Sequence, residues 1–121
     1  MKSILLVEDD PFLIDIYTNK LKEAGFGADA AEDGETALRK IKEKKPDLVL
    51  LDIVLPNVDG WELLKQIKAE AGLKDLKVII LSNLSQKEEV AKGMELGAAK
   101  YLIKAHYTPG EVVEEIKKLL K

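Results

Sequence analysis

Four short, unbroken apolar runs punctuate the chain: Ile4-Leu5-Leu6-Val7, Leu48-Val49-Leu50-Leu51, Val78-Ile79-Ile80-Leu81 and Tyr101-Leu102-Ile103. Runs of this length, rich in leucine and β-branched residues, predict strands covered on both faces. Phe26 to Ala31 is apolar but built of small residues, and predicts a weaker edge strand. Between the runs, apolar residues recur at helical spacing: Leu13, Ile16, Tyr17, Leu21; Ala37, Leu38, Ile41; Leu63, Leu64, Ile67; Val90, Ala91, Met94; Val112, Val113, Ile116, Leu120. Each set predicts an amphipathic helix with one buried stripe.

The punctuation agrees with this division. Asp10-Pro11 supplies a cap and then proline at the first helical position, and Gly25 stands where that helix stops. Ser85-Gln86-Lys87-Glu88 predicts a capping box, with Gly97 as the later stop, and Thr108-Pro109-Gly110-Glu111 predicts another. The reading is a strand and a helix repeated five times, with residues 1–121 as one domain. Alternating units of this kind imply an α/β fold with a parallel sheet, right-handed crossovers and helices on both faces. Ligands of such folds bind beyond the carboxyl ends of the strands.

Composition narrows the possibilities. The 121 residues are 46 % hydrophobic and 34 % charged, which supports a packed core rather than disorder. No apolar run approaches the roughly 18 residues that span a bilayer, so a soluble, cytoplasmic protein without membrane contact is expected. There is no cysteine and His106 is the one histidine, which excludes disulfides, thiolate metal sites and multi-histidine sites. Net charge is −3, and Arg39 is the sole arginine among 19 basic residues. Direct nucleic-acid binding, which draws on basic faces with bidentate arginines, is not expected. The density of Lys and Glu resembles thermophile usage.

The residues at the strand ends carry the chemistry. Glu8, Asp9 and Asp10 come after the first strand, Asp52 after the third, Ser82 ends the fourth and Lys104 comes after the fifth. Asp10 reads as a helix cap only. Asp52 stands directly after an apolar run, where an ionised carboxylate is costly unless partnered. Crowded carboxylates take up a proton or recruit a cation, and oxygen-only donors suit a hard ion such as Mg²⁺, or Mn²⁺. A lysine opposite serves as a point charge for phosphate, and a serine can hydrogen-bond a phosphoryl oxygen. Since an Asp carboxylate can itself accept a phosphoryl group, the set predicts a metal-assisted aspartyl-phosphate site with Asp52 as nucleophile. No GxxxxGK[ST] loop is present, which argues against a nucleotide donor.

Taken together and in order, Leu5-Leu6-Val7-Glu8-Asp9-Asp10, Asp52-Ile53-Val54-Leu55-Pro56-Asn57-Val58-Asp59-Gly60, Ser82 and Tyr101-Leu102-Ile103-Lys104 resemble a response-regulator receiver domain of the stand-alone, chemotaxis type. The resemblance covers essentially the whole chain. It implies a flavodoxin-like (βα)5 fold with sheet order 2-1-3-4-5. It also implies two-component signalling, in which Asp52 accepts a phosphoryl group from a histidine kinase or histidine phosphotransfer protein. Asp9, Asp52 and the Val54 carbonyl would hold the metal, with Glu8 acting through water. Lys104 and Ser82 would contact the phosphoryl group, and Tyr101 with Ser82 would form the switch. Val54, Asn83 and Leu84 would tune the lifetime of the phosphoryl group. A downstream protein would bind the fourth helix, fifth strand and fifth helix. Enzymatic action would be confined to self-phosphorylation and slow autodephosphorylation.

The chain departs from that family at Asn83, where alanine is usual, and at Ala105, where proline is usual; the loop to Thr108 is also about one residue longer. A trans Lys104–Ala105 bond is expected, because cis costs about 2.5–4 kcal/mol without proline, and His106 and Tyr107 are expected on the rim of the site. Trp61 reads as a half-buried anchor of the third helix, His106 as an exposed loop residue, and Lys42 to Lys45 as a solvated helix end. The alternatives are a receiver-shaped interaction module that takes no phosphate, or a fragment of a longer regulator with an effector domain. A flavodoxin-like cofactor binder is opposed by acids where a phosphate loop belongs.

Overall fold

The computed structural model of the protein describes residues 1–55 and 59–120. Among them, strands β1 (Ser3–Val7), β2 (Gly27–Ala31), β3 (Leu48–Leu51), β4 (Lys77–Ser82) and β5 (Lys100–Ile103) alternate with helices. These are α1 (Pro11–Glu23), α2 (Gly34–Glu43), α3 (Gly60–Ala69), α4 (Lys87–Glu95) and α5 (Pro109–Leu119). All strand pairings are parallel, in the order β2-β1-β3-β4-β5.

Strand alternation divides the core into two layers. Leu5, Val7, Val49, Leu51, Val78 and Ile80 face one side, against Ala37 and Ile41 of α2 and Leu63, Leu64 and Ile67 of α3. Ile4, Leu6, Leu48, Leu50, Ile79, Leu81 and Leu102 face the other, against Tyr17 and Leu21 of α1 and Val112, Val113 and Ile116 of α5. Each fully buried aliphatic side chain contributes about 1.5–3 kcal/mol, which explains why β1, β3 and β4 read as continuous apolar runs.

Several elements differ from their sequence reading. β5 stands at the sheet edge, as the order 2-1-3-4-5 requires, but it is not covered on both faces: of its residues only Leu102 is buried. β2 begins at Gly27, with Phe26 packed against the α1/α5 layer. Ile16 is 44 % exposed, because α1 turns the half-buried Leu13 and Ile14 toward the sheet instead. Val90, Ala91 and Met94 do not form the buried stripe of α4; Gly93 is its buried residue and Met94 is 46 % exposed. The capping interaction of α4 sits one residue later than expected, with the Gln86 N–H donating to the Glu89 carboxylate at 3.0 Å. The box at Thr108 and Glu111 is reciprocal, as read.

Gly25 and Gly97 end α1 and α4 with φ of 92° and 105°, a conformation that side chains disfavour. Lys42 to Lys45 are exposed but not simply solvated: Lys42 pairs with Glu70 at 3.2 Å, and Lys45 donates to the Gly72 carbonyl at 2.9 Å. Both tie the end of α2 to the segment after α3. Among the described residues, no helix is long and apolar enough to cross a membrane.

Candidate functional site

The carboxyl ends of β1, β3, β4 and β5 bring Glu8, Asp52, Ser82 and Lys104 to one rim of the sheet. Glu8, Asp52 and Ser82 are buried polar residues, at 2 %, 7 % and 0 % exposure. Glu8 is fastened from both sides. One carboxylate oxygen accepts from the backbone N–H groups of Asp9 and Asp10, each at 3.1 Å, and the other accepts from Lys104 Nζ at 2.7 Å. The same ammonium donates to Asp52 Oδ2 at 2.6 Å, while Asp52 Oδ1 accepts from the Val54 N–H at 3.1 Å. Asp9 is exposed, and Asp10 caps α1 by accepting from the Phe12 N–H at 2.9 Å.

The electrostatics follow from this crowding. Burial pushes the Glu8 carboxyl above the ordinary glutamate range, outweighing its contacts with Lys104 and the Asp10 N–H. For Lys104, burial alone would push the ammonium down, but hydrogen bonds to Asp52 and Glu8 hold it above the ordinary lysine range. The lysine is therefore a fixed positive charge between two acids. Glu8, Asp9 and Asp52 each offer a carboxylate oxygen within 4.8 Å of the others. An oxygen-only set of this size fits a hard divalent cation.

Above this charge cluster, Ser82 Oγ accepts from the Leu84 N–H at 3.2 Å, and the Tyr101 hydroxyl donates to the Leu84 carbonyl at 2.6 Å. Leu84 is thus held at its N–H by the Ser82 hydroxyl and at its carbonyl by the edge-strand tyrosine. Beside it, Ile53, Val54, Leu55, Asp59, Trp61 and Leu84 line an open groove. Val54 is 60 % exposed there and Asn83 is exposed. Trp61 is half-buried against the α2/α3 layer, with Lys92 Nζ 4.8 Å from its ring centroid, so it bridges α3 and α4.

The Lys104–Ala105 bond is trans, and Lys104–His106 forms a single 3₁₀ turn. His106 is exposed, whereas Tyr107 packs against the α1/α5 layer and so does not lie free on the rim. Pro56, Asn57 and Val58 of the β3–α3 motif lie outside the described residues. Sequence reasoning missed the contact of Lys104 with Glu8, which joins residues 96 positions apart. It also missed Gly93 under Tyr101, although a glycine inside a helix is itself a signal of close packing.

Residues 4–117 match the response regulator receiver domain family, and the chain belongs to it. Phosphorylation-dependent switching in two-component signalling is the function of that family, whose members bind Mg²⁺ or Mn²⁺ and interact with histidine kinases and downstream effectors. The alkaline phosphatase synthesis transcriptional regulatory protein PhoP of Bacillus subtilis (strain 168) is 33 % identical over 120 residues, 99 % of this chain and 49 % of that protein. The chain spans about half the length of the curated relatives it matches. A putative response regulator from Chloroflexus aurantiacus J-10-fl superposes with a TM-score of 0.91 at 31 % identity, covering 98 % of this chain and 97 % of that one. The Mn²⁺-bound form of response regulator Rcp1 superposes at 0.88 with 28 % identity, covering 99 % and 94 %.

Proposed function

We propose that Asp52 is the phosphoryl acceptor of this receiver and that residues 1–121 act as one signalling domain in the cytoplasm. The observation that carries the reading is the Lys104 ammonium held 2.6 Å from Asp52 and 2.7 Å from Glu8 at the ends of three strands. One Asp52 oxygen attacks the phosphorus of a phosphohistidine. The new P–O bond forms as the P–N bond breaks, its electron pair remaining on the imidazole nitrogen, which takes up a proton.

Asp9, Asp52 and the Val54 carbonyl would hold Mg²⁺, or Mn²⁺, with Glu8 reaching it through water. When bound, the ion neutralises the acids and the phosphoryl oxygens so that an anion can approach. Lys104 then turns from its carboxylate partners to a phosphoryl oxygen, and Ser82 turns its hydroxyl to another. That turn releases the Leu84 N–H and leaves the loop held at the Leu84 carbonyl by the Tyr101 hydroxyl, so that phosphorylation favours this ring position. The output face is α4, β5 and α5, read by a downstream protein, while a histidine kinase or phosphotransfer protein supplies the phosphoryl group. The chain's own chemistry is confined to this transfer and to slow hydrolysis of the aspartyl phosphate, with Val54, Asn83 and Leu84 flanking the path of water.

The interaction module that takes no phosphate is disfavoured, because acid pair, acceptor and lysine are all present and brought together. A second reading, a receiver joined to a transcriptional effector, is supported by the curated relatives, which are transcription regulators of about twice this length. The open reading frame beyond Lys121 decides it. The phosphoryl reading is tested by mass spectrometry after incubation with acetyl phosphate and Mg²⁺. One added phosphoryl group, located on Asp52, is expected; labelling elsewhere or none overturns it.

A further inference from the structure

Glycine inside a helix is destabilising relative to alanine, so an interior glycine points to a contact that a side chain would spoil. Gly93 is the buried residue of α4. A Cβ at that position would lie 2.6 Å from Cδ1 of Ile80, 2.9 Å from Cδ2 of Tyr101 and 3.3 Å from Cε2 of the same ring. Ile80 and Tyr101 are register partners on β4 and β5, so their side chains stand together on the face that α4 covers. The terminal carbon of Ile80 can swing away by a rotamer change. The tyrosine ring is less free, because its hydroxyl is engaged at 2.6 Å by the Leu84 carbonyl.

We infer that Gly93 is a positioning residue of the switch: its missing side chain is the space that lets the Tyr101 ring lie under α4 with its hydroxyl on Leu84. The Leu84 N–H donates to Ser82 Oγ, so ring and serine hold the same short loop beside Asp52. A methyl group at position 93 displaces the ring, frees the Leu84 carbonyl and disfavours the arrangement that this hydrogen bond selects. The inference rests on the reading of Asp52 as acceptor. A ligand at Asp52 that favours this arrangement must then bind more weakly, since it and the ring bias one equilibrium.

The test titrates beryllofluoride, a phosphoryl mimic, with Mg²⁺ into the wild type, Gly93→Ala, Tyr101→Ala and the double variant, followed by Trp61 fluorescence or isothermal calorimetry. Gly93→Ala is expected to weaken binding by about fivefold or more, within the usual range of coupling between sites. In the Tyr101→Ala background the same substitution is expected to have no further effect, which a general packing defect would not produce. Adding Ile80→Val removes the tightest contact but leaves the ring conflict, so this variant protects against misfolding and still shows the loss. Unchanged affinity in Gly93→Ala, an additive loss without the tyrosine, or full rescue by Ile80→Val each overturns the inference. Nuclear Overhauser contacts between the Tyr101 ring and Ile80 methyls, measured without ligand, give an independent readout. They are expected in the wild type and lost in Gly93→Ala, and their retention there overturns the inference. A wild type that bound no beryllofluoride would sink the phosphoryl reading alone, leaving the ring position to judge Gly93.

Discussion

Lys104 and Asp52 are 52 positions apart in the chain, and the ammonium of one donates to a carboxylate oxygen of the other at 2.6 Å. Glu8 takes a second hydrogen bond from the same ammonium. In this arrangement one cation serves two buried acids. The cluster is short of positive charge before any phosphoryl group arrives.

That shortage is expected to make a metal ion necessary for labelling. Asp52→Asn is expected to abolish phosphoryl transfer from acetyl phosphate, and a chelator is expected to abolish it in the wild type. Intact-mass measurement checks both. Labelling of the variant at the wild-type level, or labelling indifferent to chelator, would refute the assignment.

Removing the lysine should separate chemistry from response. Lys104→Ala leaves Glu8 and Asp52 buried and facing each other without their shared partner, a loss expected to cost about 3 kcal/mol in urea unfolding. Mg²⁺ should return part of that stability, because it binds the folded state selectively. The variant is expected to stay folded and to take up phosphate, yet show no phosphorylation-dependent gain in partner affinity. A wild-type gain in affinity would be inconsistent with the role given to Lys104.

The aspartyl phosphate should persist for well beyond seconds. Val54 and Leu84 line the groove beside Asp52, and neither can orient an attacking water by hydrogen bonding. Radiolabel decay measures the lifetime. Replacing both residues by asparagine should shorten it, and an unchanged or longer lifetime in that variant would exclude them as determinants.

Acid should erase one specific contribution to stability. Hydrogen bonds from Lys100, 2.6 Å away, and from Lys118 hold the Glu115 carboxyl below the ordinary glutamate range. A depressed folded pKa stabilises the fold above the unfolded value of about 4.3, and the contribution disappears as pH falls through the folded value. Glu115→Gln should therefore lower the urea midpoint at pH 7 and match the wild type well below pH 4. A deficit that persisted in acid would point to packing instead.

The central strands were legible because Ile4–Val7, Leu48–Leu51 and Val78–Leu81 are covered on both faces, and such burial leaves a pattern in the chain itself. The convergence of Glu8, Asp52 and Lys104 was legible because parallel βα units place every strand end on one rim. Less visible were features set by neighbours distant in sequence. Tyr101-Leu102-Ile103 reads as a strand covered on both faces, yet only Leu102 is buried. Val90 and Met94 have the right spacing for a buried stripe, but α4 approaches the sheet through Gly93, where an aromatic ring from β5 needs the space. The bridge from Lys104 to Glu8 carries no local signature at all.

β5 carries Tyr101 within it and Lys104 immediately after it, and among the described residues β4 alone holds it in the sheet. The ammonium that holds Asp52 and Glu8 and the ring that faces α4 are therefore joined by the same few residues of main chain. Central strands are clamped from both sides; this one is held by a single row of hydrogen bonds. Under the proposed function, detection at Lys104 and response at Tyr101 would share one mechanical part, a short lever hinged on its neighbour, and a mutation that stiffens or loosens that hinge would change how faithfully the one is converted into the other.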